Sequence, residues 1–526
     1  MVGMSRRITS TTILVSMACS VSAVLAGCAP LLGAGPRFAT NSGARPQGAV
    51  TTTKPVSGPP PIAVPKNDLS WHDCTSRVFA DAGVAAAPGI KLECASYDSD
   101  LDSVSGGSGS ISIGVVRAKS TQTPTDAGPL VFTTGSDLPS STQLPVWLTH
   151  AGADVLKSHP IVAIDRRGMG MSSPIDCRDH FDREEMRDQA QFQSGDDPVA
   201  NLSEVSNTAT TNCTDAIAPG ESAYDNGHAA SDIERLRNIW DVPALALVGI
   251  GNGAQVALTY AGSRPDKVAR LVLDSPVALG VNAEGAAEQQ VKGQQAALDA
   301  FAAQCVAVNC ALGPDPKGAV SALLAAARSG NGPGGASVAS IANAITTALG
   351  FPTGDRVGTT TNLANALNAA RSGDINQLTN LINRATEIRD TDGEFVSACS
   401  DALNRPTPDR VRELVVAWGK LYPQFGSVAA LNLVKCVHWP TGSPAQPPKD
   451  LKVDVLLLGV QDDPIVGSEG VAATAATVIN ANAASKRVMW QGIGHGASVY
   501  SSCAVPPIIG YLDSGKLPGT DTYCPA

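Results

Sequence analysis

Short apolar segments alternate along this chain with stretches of helical periodicity, and this alternation is the feature that most constrains the fold. Each apolar segment is too short for a helix and is bounded by turn-forming residues, which favours a buried strand. Parallel strands joined by helices are covered on both faces and are therefore apolar throughout. The pattern predicts an α/β fold with a mostly parallel central sheet. The strand candidates are residues 130–134, 161–164, 245–248, 271–273, 453–458 and 487–490.

The alternation stops for a long alanine-rich stretch and then returns, which predicts a helical cap inserted into the α/β core. A region rich in Pro, Gly and Thr precedes the core and cannot bury apolar surface, so it is expected to be a semi-extended tether. The predicted segments are a signal peptide at 1–28, the tether at 29–68, the first part of the core at 69–284, the cap at 285–445 and the last part of the core at 446–526.

A glycine-rich turn, Gly249-Ile250-Gly251-Asn252-Gly253, lies between the strand candidate 245–248 and a helical stretch at 254–260. This is the context of the nucleophile elbow, Gly-x-Ser-x-Gly, in which strand and helix backbones pass too close for side chains. The central residue of an elbow has a positive φ, which is costly for serine and free for glycine. Gly251 therefore stands where the nucleophile of a serine hydrolase would be.

An acid and a histidine follow the turn in the order that this arrangement uses. Asp463 comes after the strand candidate 453–458, and His495 comes after the candidate 487–490. In a working enzyme the histidine would take the serine proton, and the aspartate would orient and stabilise the imidazolium. Asp462 is the neighbouring alternative, and Asp463 is preferred. The candidate catalytic positions are thus Gly251, Asp463 and His495.

Several further segments resemble the secreted tripeptidyl-aminopeptidase-like α/β hydrolases of actinomycetes, which include mycobacterial lipoprotein peptidases. The resemblance implies an α/β-hydrolase fold with a helical cap, a TAP-like carboxyl-terminal module and a peptidase or esterase ancestry. Its motifs cover roughly residues 70–280 and 395–526. They are Trp71-x-x-Cys74, Glu93-Cys94-Ala95, the segment 165–172, Ala230-x-Asp232, Leu258-Thr259-Tyr260, His495-Gly496 and the end from Tyr511 to Cys524.

The chain departs from the family at two places. The nucleophile position is Gly251, and the oxyanion loop, usually rich in Gly-Gly-Pro-Gly, reads Thr134-Gly135-Ser136-Asp137-Leu138. The expected oxyanion donors are the backbone N–H of Gly135 and that of Asn252. The bulkier residues of the loop disfavour the first donor, whereas the second donor needs only the geometry of the elbow.

The amino terminus has the features of a bacterial export signal: Arg6-Arg7, an apolar stretch at 11–25 and Leu25-Ala26-Gly27-Cys28. Small residues before a cysteine suit lipoprotein signal peptidase, so Cys28 is the predicted lipidation site, as a palmitate-carrying diacylglyceryl cysteine. The alternative is an ordinary secretory signal with a chance cysteine. The expected location is the outer face of the cell membrane, lipid-anchored, with release to the cell wall or extracellular space as a further alternative.

Beyond Cys19 and Cys28 the chain has an even set of ten cysteines, which in an exported protein indicates disulfides, with five sequence-adjacent pairs as the simplest arrangement. No spacing supports a metal site, and no cofactor is expected. The net charge of −10 and the absence of a basic run argue against nucleic acid as a partner. The cysteines are Cys74, Cys94, Cys177, Cys213, Cys305, Cys310, Cys399, Cys436, Cys503 and Cys524.

Three functions fit these observations. We predict a protein of hydrolase ancestry that is non-catalytic, or a very weak hydrolase, and binds a peptide or ester ligand in a pocket under the cap. The alternatives are an active cell-envelope hydrolase or aminopeptidase that uses an unusual nucleophile or activated water, and a tethered scaffold lipoprotein. An open pocket at Gly251 would argue against the scaffold.

Overall fold

A computed structural model describes residues 59–102, 109–189, 197–440, 442 and 445–526. The predicted signal peptide, Cys28 and most of the predicted tether lie outside these residues. Residues 59–68, assigned to the tether from the sequence, lie against the folded body. The N–H of Lys66 donates to the carbonyl of Trp240, and Arg270 donates to the carbonyl of Pro60. Across the described residues, no helix is both long enough and apolar enough to cross a bilayer.

The central sheet is mostly parallel, as the alternation of apolar and helical segments predicted. The strands are β1 (His72–Asp73), β2 (Ile90–Asp100), β3 (Ser110–Ser120), β4 (Leu130–Thr133), β5 (Ile161–Ile164), β6 (Leu245–Ile250), β7 (Val268–Asp274), β8 (Val455–Asp462), β9 (Ser485–Ile493) and β10 (Thr522–Cys524). They lie in the order β1-β2-β3-β5-β4-β6-β7-β8-β9-β10. The pairs from β1 to β5 in this order are antiparallel, and the pairs from β5 to β10 are parallel.

The central strands are buried on both faces, which explains their unbroken apolar sequences. Successive residues of a strand face opposite sides of the sheet. Accordingly Val131 and Leu247 belong to one apolar cluster, and Phe132 and Val248 belong to the cluster on the other face.

Helices cover both faces of this sheet. Several begin at an aspartate whose side chain accepts a backbone N–H of the first turn, as Asp225 does from His228. The core helices are α1 (Thr75–Asp81), α2 (Ser140–Thr149), α3 (Gly152–Val155), α4 (His180–Arg187), α5 (Pro198–Ile217), α6 (Asn226–Trp240) and α7 (Asn252–Ser263), and after the cap α16 (Gly470–Asn480), α17 (Ala497–Tyr500) and α18 (Val505–Ser514).

The cap is helical and lies between β7 and β8, and it has an apolar cluster of its own. Val199 and Leu202 of α5 belong to that cluster, so the cap also packs on a helix that the sequence assigned to the core. The cap helices are α8 (Ala283–Ala307), α9 (Pro316–Arg328), α10 (Val338–Gly350), α11 (Arg356–Arg371), α12 (Asn376–Arg389), α13 (Asp392–Asp401), α14 (Pro408–Leu421) and α15 (Gly426–Asn432). Short 3-10 helices occur at Pro265–Lys267, Pro333–Gly335, Leu433–Cys436 and Ser502–Ala504.

The ten cysteines outside the amino-terminal region form five sequence-adjacent disulfides, the simplest arrangement expected from the sequence. Two of these disulfides lie within the cap, and one joins the segment before α4 to α5. The other two lie at the two ends of the sheet. The pairs are Cys74–Cys94, Cys177–Cys213, Cys305–Cys310, Cys399–Cys436 and Cys503–Cys524.

Candidate functional site

The turn between β6 and α7 has the geometry of a nucleophile elbow. Gly251 has φ 58° and ψ −121°, a backbone conformation that residues with side chains rarely adopt. A Cβ on Gly249 would lie 2.3 Å from the carbonyl oxygen of Gly253, and one on Gly253 would lie 2.0 Å from that of Thr133. The two flanking glycines are therefore required by backbone crowding, and the sharp turn persists without its serine.

His495 and Asp463 meet next to this turn. The Nδ1 atom of His495 lies 2.9 Å from Oδ2 of Asp463, and both side chains are almost completely buried. Oδ1 of Asp463 accepts the backbone N–H groups of Ile465 and Val466, which fixes the carboxylate. Asp462, the alternative acid, is joined to His495 by no hydrogen bond in the described part of the chain. Burial raises the pKa of Asp462 to about 6.

The loop that carries His495 is anchored by a buried carboxylate at the end of β7. Asp274 accepts the backbone N–H groups of Ala497 and Ser498 and the hydroxyl of Ser498. These bonds hold the first turn after His495, and they occupy both carboxylate oxygens of Asp274. Its function is to position the histidine loop.

Asp137 occupies the space where the side chain of an elbow serine would lie. A Cβ built on Gly251 would be 1.8 Å from Oδ2 of Asp137, closer than any contact between non-bonded atoms. The same oxygen accepts the backbone N–H of Asn252 at 2.7 Å and lies 3.3 Å from Nε2 of His495. The Asn252 N–H is the expected oxyanion donor, so a carboxylate of the protein itself fills the oxyanion site.

Two carboxylates thus flank one buried imidazole, and they determine its protonation. Burial by itself lowers the pKa of His495, but the charge of Asp463 and the hydrogen bond with Asp137 outweigh burial and raise the pKa to about 10. His495 is therefore an imidazolium at neutral pH, with one N–H directed to each carboxylate. An imidazolium cannot remove a proton from a nucleophile.

The second expected oxyanion donor has a different use in the structure. The N–H of Gly135 donates to the hydroxyl of Thr133 at 3.2 Å, within its own loop. Gly135 has φ 59°, and a Cβ there would lie 2.2 Å from Oδ1 of Asn252. Gly135 thus allows the loop to approach the elbow closely. Its N–H donates within the loop and not to the oxyanion site as predicted, because the loop turns inward to place Asp137.

The side chain of Asn252 joins the loop to a buried arginine. Its Oδ1 accepts the N–H of Ser136 at 3.0 Å and Nη1 of Arg166 at 2.7 Å. Arg166 also pairs with Asp401 of the cap, at 2.8 Å. The oxyanion loop, the elbow and the cap are therefore linked by one chain of buried polar contacts.

A cavity of about 300 Å³ opens from Asp137 and Asn252 beneath the cap. Its apolar wall includes Val277, Val281 and Ile465. A second chamber of about 210 Å³ shares Arg389, Glu394 and Ala398 with it. Burial raises the pKa of Glu394 to about 7, even though nearby arginine and lysine charges favour its ionised form.

No group of three His, Cys, Asp or Glu side chains with metal-binding geometry occurs among the residues that the structure describes. The sequence brought Gly251, Asp463, His495, Gly135 and Asn252 into consideration, and the structure brings all five to one place. Sequence reasoning missed Asp137. The available signal was the departure of residues 134–138 from the glycine-rich loop of the family.

Comparisons with known proteins agree with this architecture. A profile of the alpha/beta hydrolase fold matches residues 144–317, and a profile described as TAP-like protein matches residues 422–524. Serine protease Hip1 of Mycobacterium tuberculosis and that of Mycobacterium bovis are each 28% identical to this chain over 163 residues. That alignment spans 30% of this chain and 31% of the relative.

Solved structures of esterases are also similar to this chain. Esterase RhEst1 from a Rhodococcus species is 16% identical with a TM-score of 0.38, and a thermophilic esterase from Thermogutta terrifontis is 14% identical with a TM-score of 0.37. Each alignment covers 80% of this chain and 99% of the esterase. By its two matching family profiles, the chain has the α/β-hydrolase fold with a TAP-like carboxyl-terminal region, and it is similar over about a third of its length to a mycobacterial serine protease.

Proposed function

We propose that this protein is an exported, lipid-anchored binding protein of hydrolase ancestry, in which serine-type acyl transfer has been lost. The observation that carries this proposal is the position of the Asp137 carboxylate, which fills both the space of the missing serine and the oxyanion site at the Asn252 N–H. An acyl substrate would find neither a nucleophile at Gly251 nor a free donor for its developing oxyanion.

The protonation of His495 supports the same conclusion. The histidine of a serine hydrolase acts as a general base only when it is neutral. The carboxylates of Asp463 and Asp137 keep His495 protonated at neutral pH. Direct activation of water for attack on a peptide or ester is disfavoured for the same reason. Loss of the nucleophile in a serine protease costs about a millionfold in turnover.

The cavity favours ligand binding over a purely structural scaffold. It reaches the former catalytic position, and it combines an apolar wall with the polar side chains of Gln255, Gln290 and Arg389. The sequence motifs resemble a family of peptidases and esterases, so we propose a peptide or ester ligand in this cavity.

The test has two arms on the full chain in detergent. Fluorogenic peptides and acyl esters should be cleaved no faster than in buffer, and a fluorophosphonate probe should leave the protein unlabelled. Binding of short peptides and non-hydrolysable ester analogues should raise the unfolding temperature. Ala398→Phe should abolish that shift by filling the cavity, whereas Ala476→Phe, on an exposed position of α16, should retain it. Rapid cleavage or probe labelling by the wild type would overturn the proposal.

Membrane attachment is proposed from the sequence around Cys28. Metabolic labelling with palmitate in an actinomycete host should mark the wild type and the Cys19→Ala variant but not Cys28→Ala. Equal labelling of all three, or of none, would contradict anchoring through Cys28.

A further inference from the structure

The two chambers under the cap differ in their charge. The first, of about 300 Å³, has the apolar wall of Val277, Val281 and Ile465. The second, of about 210 Å³, is lined by arginine and lysine side chains from several elements. Arg389 and Glu394 line both chambers. An apolar ligand in the first chamber therefore lies next to the charges of the second.

Two of the four cations in the second chamber have no direct partner. Arg178 and Arg187 pair with aspartates. Arg389 and Lys435 take part in no hydrogen bond or salt bridge with any residue that the structure describes, and the guanidinium of Arg389 lies 5.7 Å from the ring centre of Phe351. Burial lowers the pKa of Lys435, and nearby carboxylates do not offset this effect fully. Because buried charges are normally paired, these two cations are arranged to receive an anion.

We propose that the second chamber binds a carboxylate of the ligand between Arg389 and Lys435, while an apolar part of the same ligand lies in the first chamber. This proposal rests on the proposed function, because it specifies the chemistry of the ligand in that pocket. A carboxylate has two acceptor oxygens and can bind a guanidinium and an ammonium together. A dianion such as phosphate fits less well, because Asp390 and Glu394 already bring negative charge to the chamber.

The anion site lies close to the former catalytic position. The ring of Phe351 separates the two, since it lies 5.7 Å from the guanidinium of Arg389 and meets the imidazole of His495 edge-on at 5.5 Å. The first chamber begins at Asp137 and ends at Arg389. One ligand can therefore reach from the anion site to the position of the missing nucleophile.

Glu394 competes with the ligand for the two cations. Burial raises the pKa of Glu394 to about 7. Arg389 at the end of α12, Lys435 in the 3-10 helix after α15 and Arg178 before α4 favour its ionised form, whereas Asp390 after α12 opposes it. A bound carboxylate disfavours a second negative charge beside it, so Glu394 takes up a proton when the ligand binds. Binding should therefore tighten as the pH falls through 7.

The experiment compares 4-phenylbutyrate, an apolar chain with one carboxylate, with the neutral 4-phenylbutyramide. Calorimetry on the full chain in detergent should show that the acid binds about tenfold more tightly than the amide. The affinity for the acid should be about threefold to tenfold higher at pH 6 than at pH 8, and Glu394→Gln should make the two values nearly equal. Short N-acetylated peptides with a free carboxylate should likewise bind more tightly than their amides.

Variants of the two cations locate the site. Arg389→Gln and Lys435→Gln should each weaken phenylbutyrate binding by about tenfold. Lys435→Gln should not lower the unfolding temperature of the free protein, because it removes a buried charge that has no direct partner. The matched controls are Arg371→Gln and Lys420→Gln, which change exposed cations of the cap and should retain the wild-type affinity.

Equal affinity for the acid and the amide, or no binding of the acid, would overturn the proposal. Weaker binding of the acid at pH 6 than at pH 8 would overturn it as well. Phenylbutyrate binding without any binding of peptides or esters would support the anion site and contradict the ligand class of the proposed function. Peptide binding with no preference for a carboxylate would support the proposed function and overturn the anion site.

Discussion

The elbow and the oxyanion loop face each other across the same site, and they have changed to very different extents. The elbow retains its crowded glycines, its positive φ and its neighbouring His495–Asp463 pair, and differs only by the absence of a serine side chain. The loop at 134–138 has a different sequence and directs a carboxylate into the site. The difference teaches that the loop alters the chemistry as much as the lost serine does, because Asp137 occupies the space that a restored serine would need.

The strongest test of this comparison is to restore each region separately and then both. Gly251→Ser alone should remain inactive toward acyl esters, since its Cβ would lie 1.8 Å from Oδ2 of Asp137. Asp137→Gly with Gly251→Ser should gain fluorophosphonate labelling and ester cleavage by about a thousandfold over the wild type. The measurement is labelling and hydrolysis by Gly251→Ser, by Asp137→Gly, which still lacks a nucleophile, and by the double variant. If Gly251→Ser alone were fully active, the loop would not block the site.

The sequence was sufficient for the fold because the relevant signals are local. The buried strands, the alanine-rich cap helices and the glycines of the elbow are each recognisable from neighbouring residues. Placement of Asp463 and His495 follows from the same logic, since both follow strands of one parallel sheet and such ends meet at one edge.

The role of Asp137 could not be predicted in this way. It contacts Asn252, 115 residues further along the chain, only because β4 and β6 are paired and bring Thr133 beside Gly249. Nothing in the sequence around Asp137 distinguishes a side chain that turns inward from one that faces solvent. The protonation of His495 was missed for the same reason, because it depends on a second carboxylate.

The two carboxylates should also differ in what they contribute to stability. Asp463→Asn should lower the free energy of unfolding by about 4 kcal/mol, because it leaves a buried imidazolium without its fully buried partner. Asp137→Asn should cost about 1 kcal/mol, since its side chain is 13% exposed and water can replace part of the interaction. Urea unfolding at pH 7 measures both. A larger loss of stability for Asp137→Asn than for Asp463→Asn would mean that Asp137, and not Asp463, is the main partner of His495.

Backbone crowding at the elbow gives a smaller effect. Gly253→Ala should destabilise the protein by about 2 kcal/mol, because its Cβ would lie 2.0 Å from the carbonyl oxygen of Thr133, which cannot move without shifting β4. Gly510→Ala is the control. Gly510 is an exposed position of α18 with open space around it, where alanine should be neutral or stabilising by up to about 1 kcal/mol. Similar unfolding curves for the two variants would mean that the elbow glycines are not required.

The last effect is small for each pH unit and is the dependence of stability on pH that both regions share through His495. Its pKa is about 10 in the folded protein against an ordinary value of 6.5, so its contribution to stability is complete below pH 6.5 and is lost as pH rises toward 10. The difference in unfolding free energy between wild type and His495→Gln should therefore shrink across that range, by at most about 1.4 kcal/mol per pH unit. Asp137→Asn removes one of the two favourable carboxylates and should move the upper end of the range to lower pH. If the upper end did not move, Asp463 alone would hold the proton on His495, and the loop would act at this site by occupying space and not by charge.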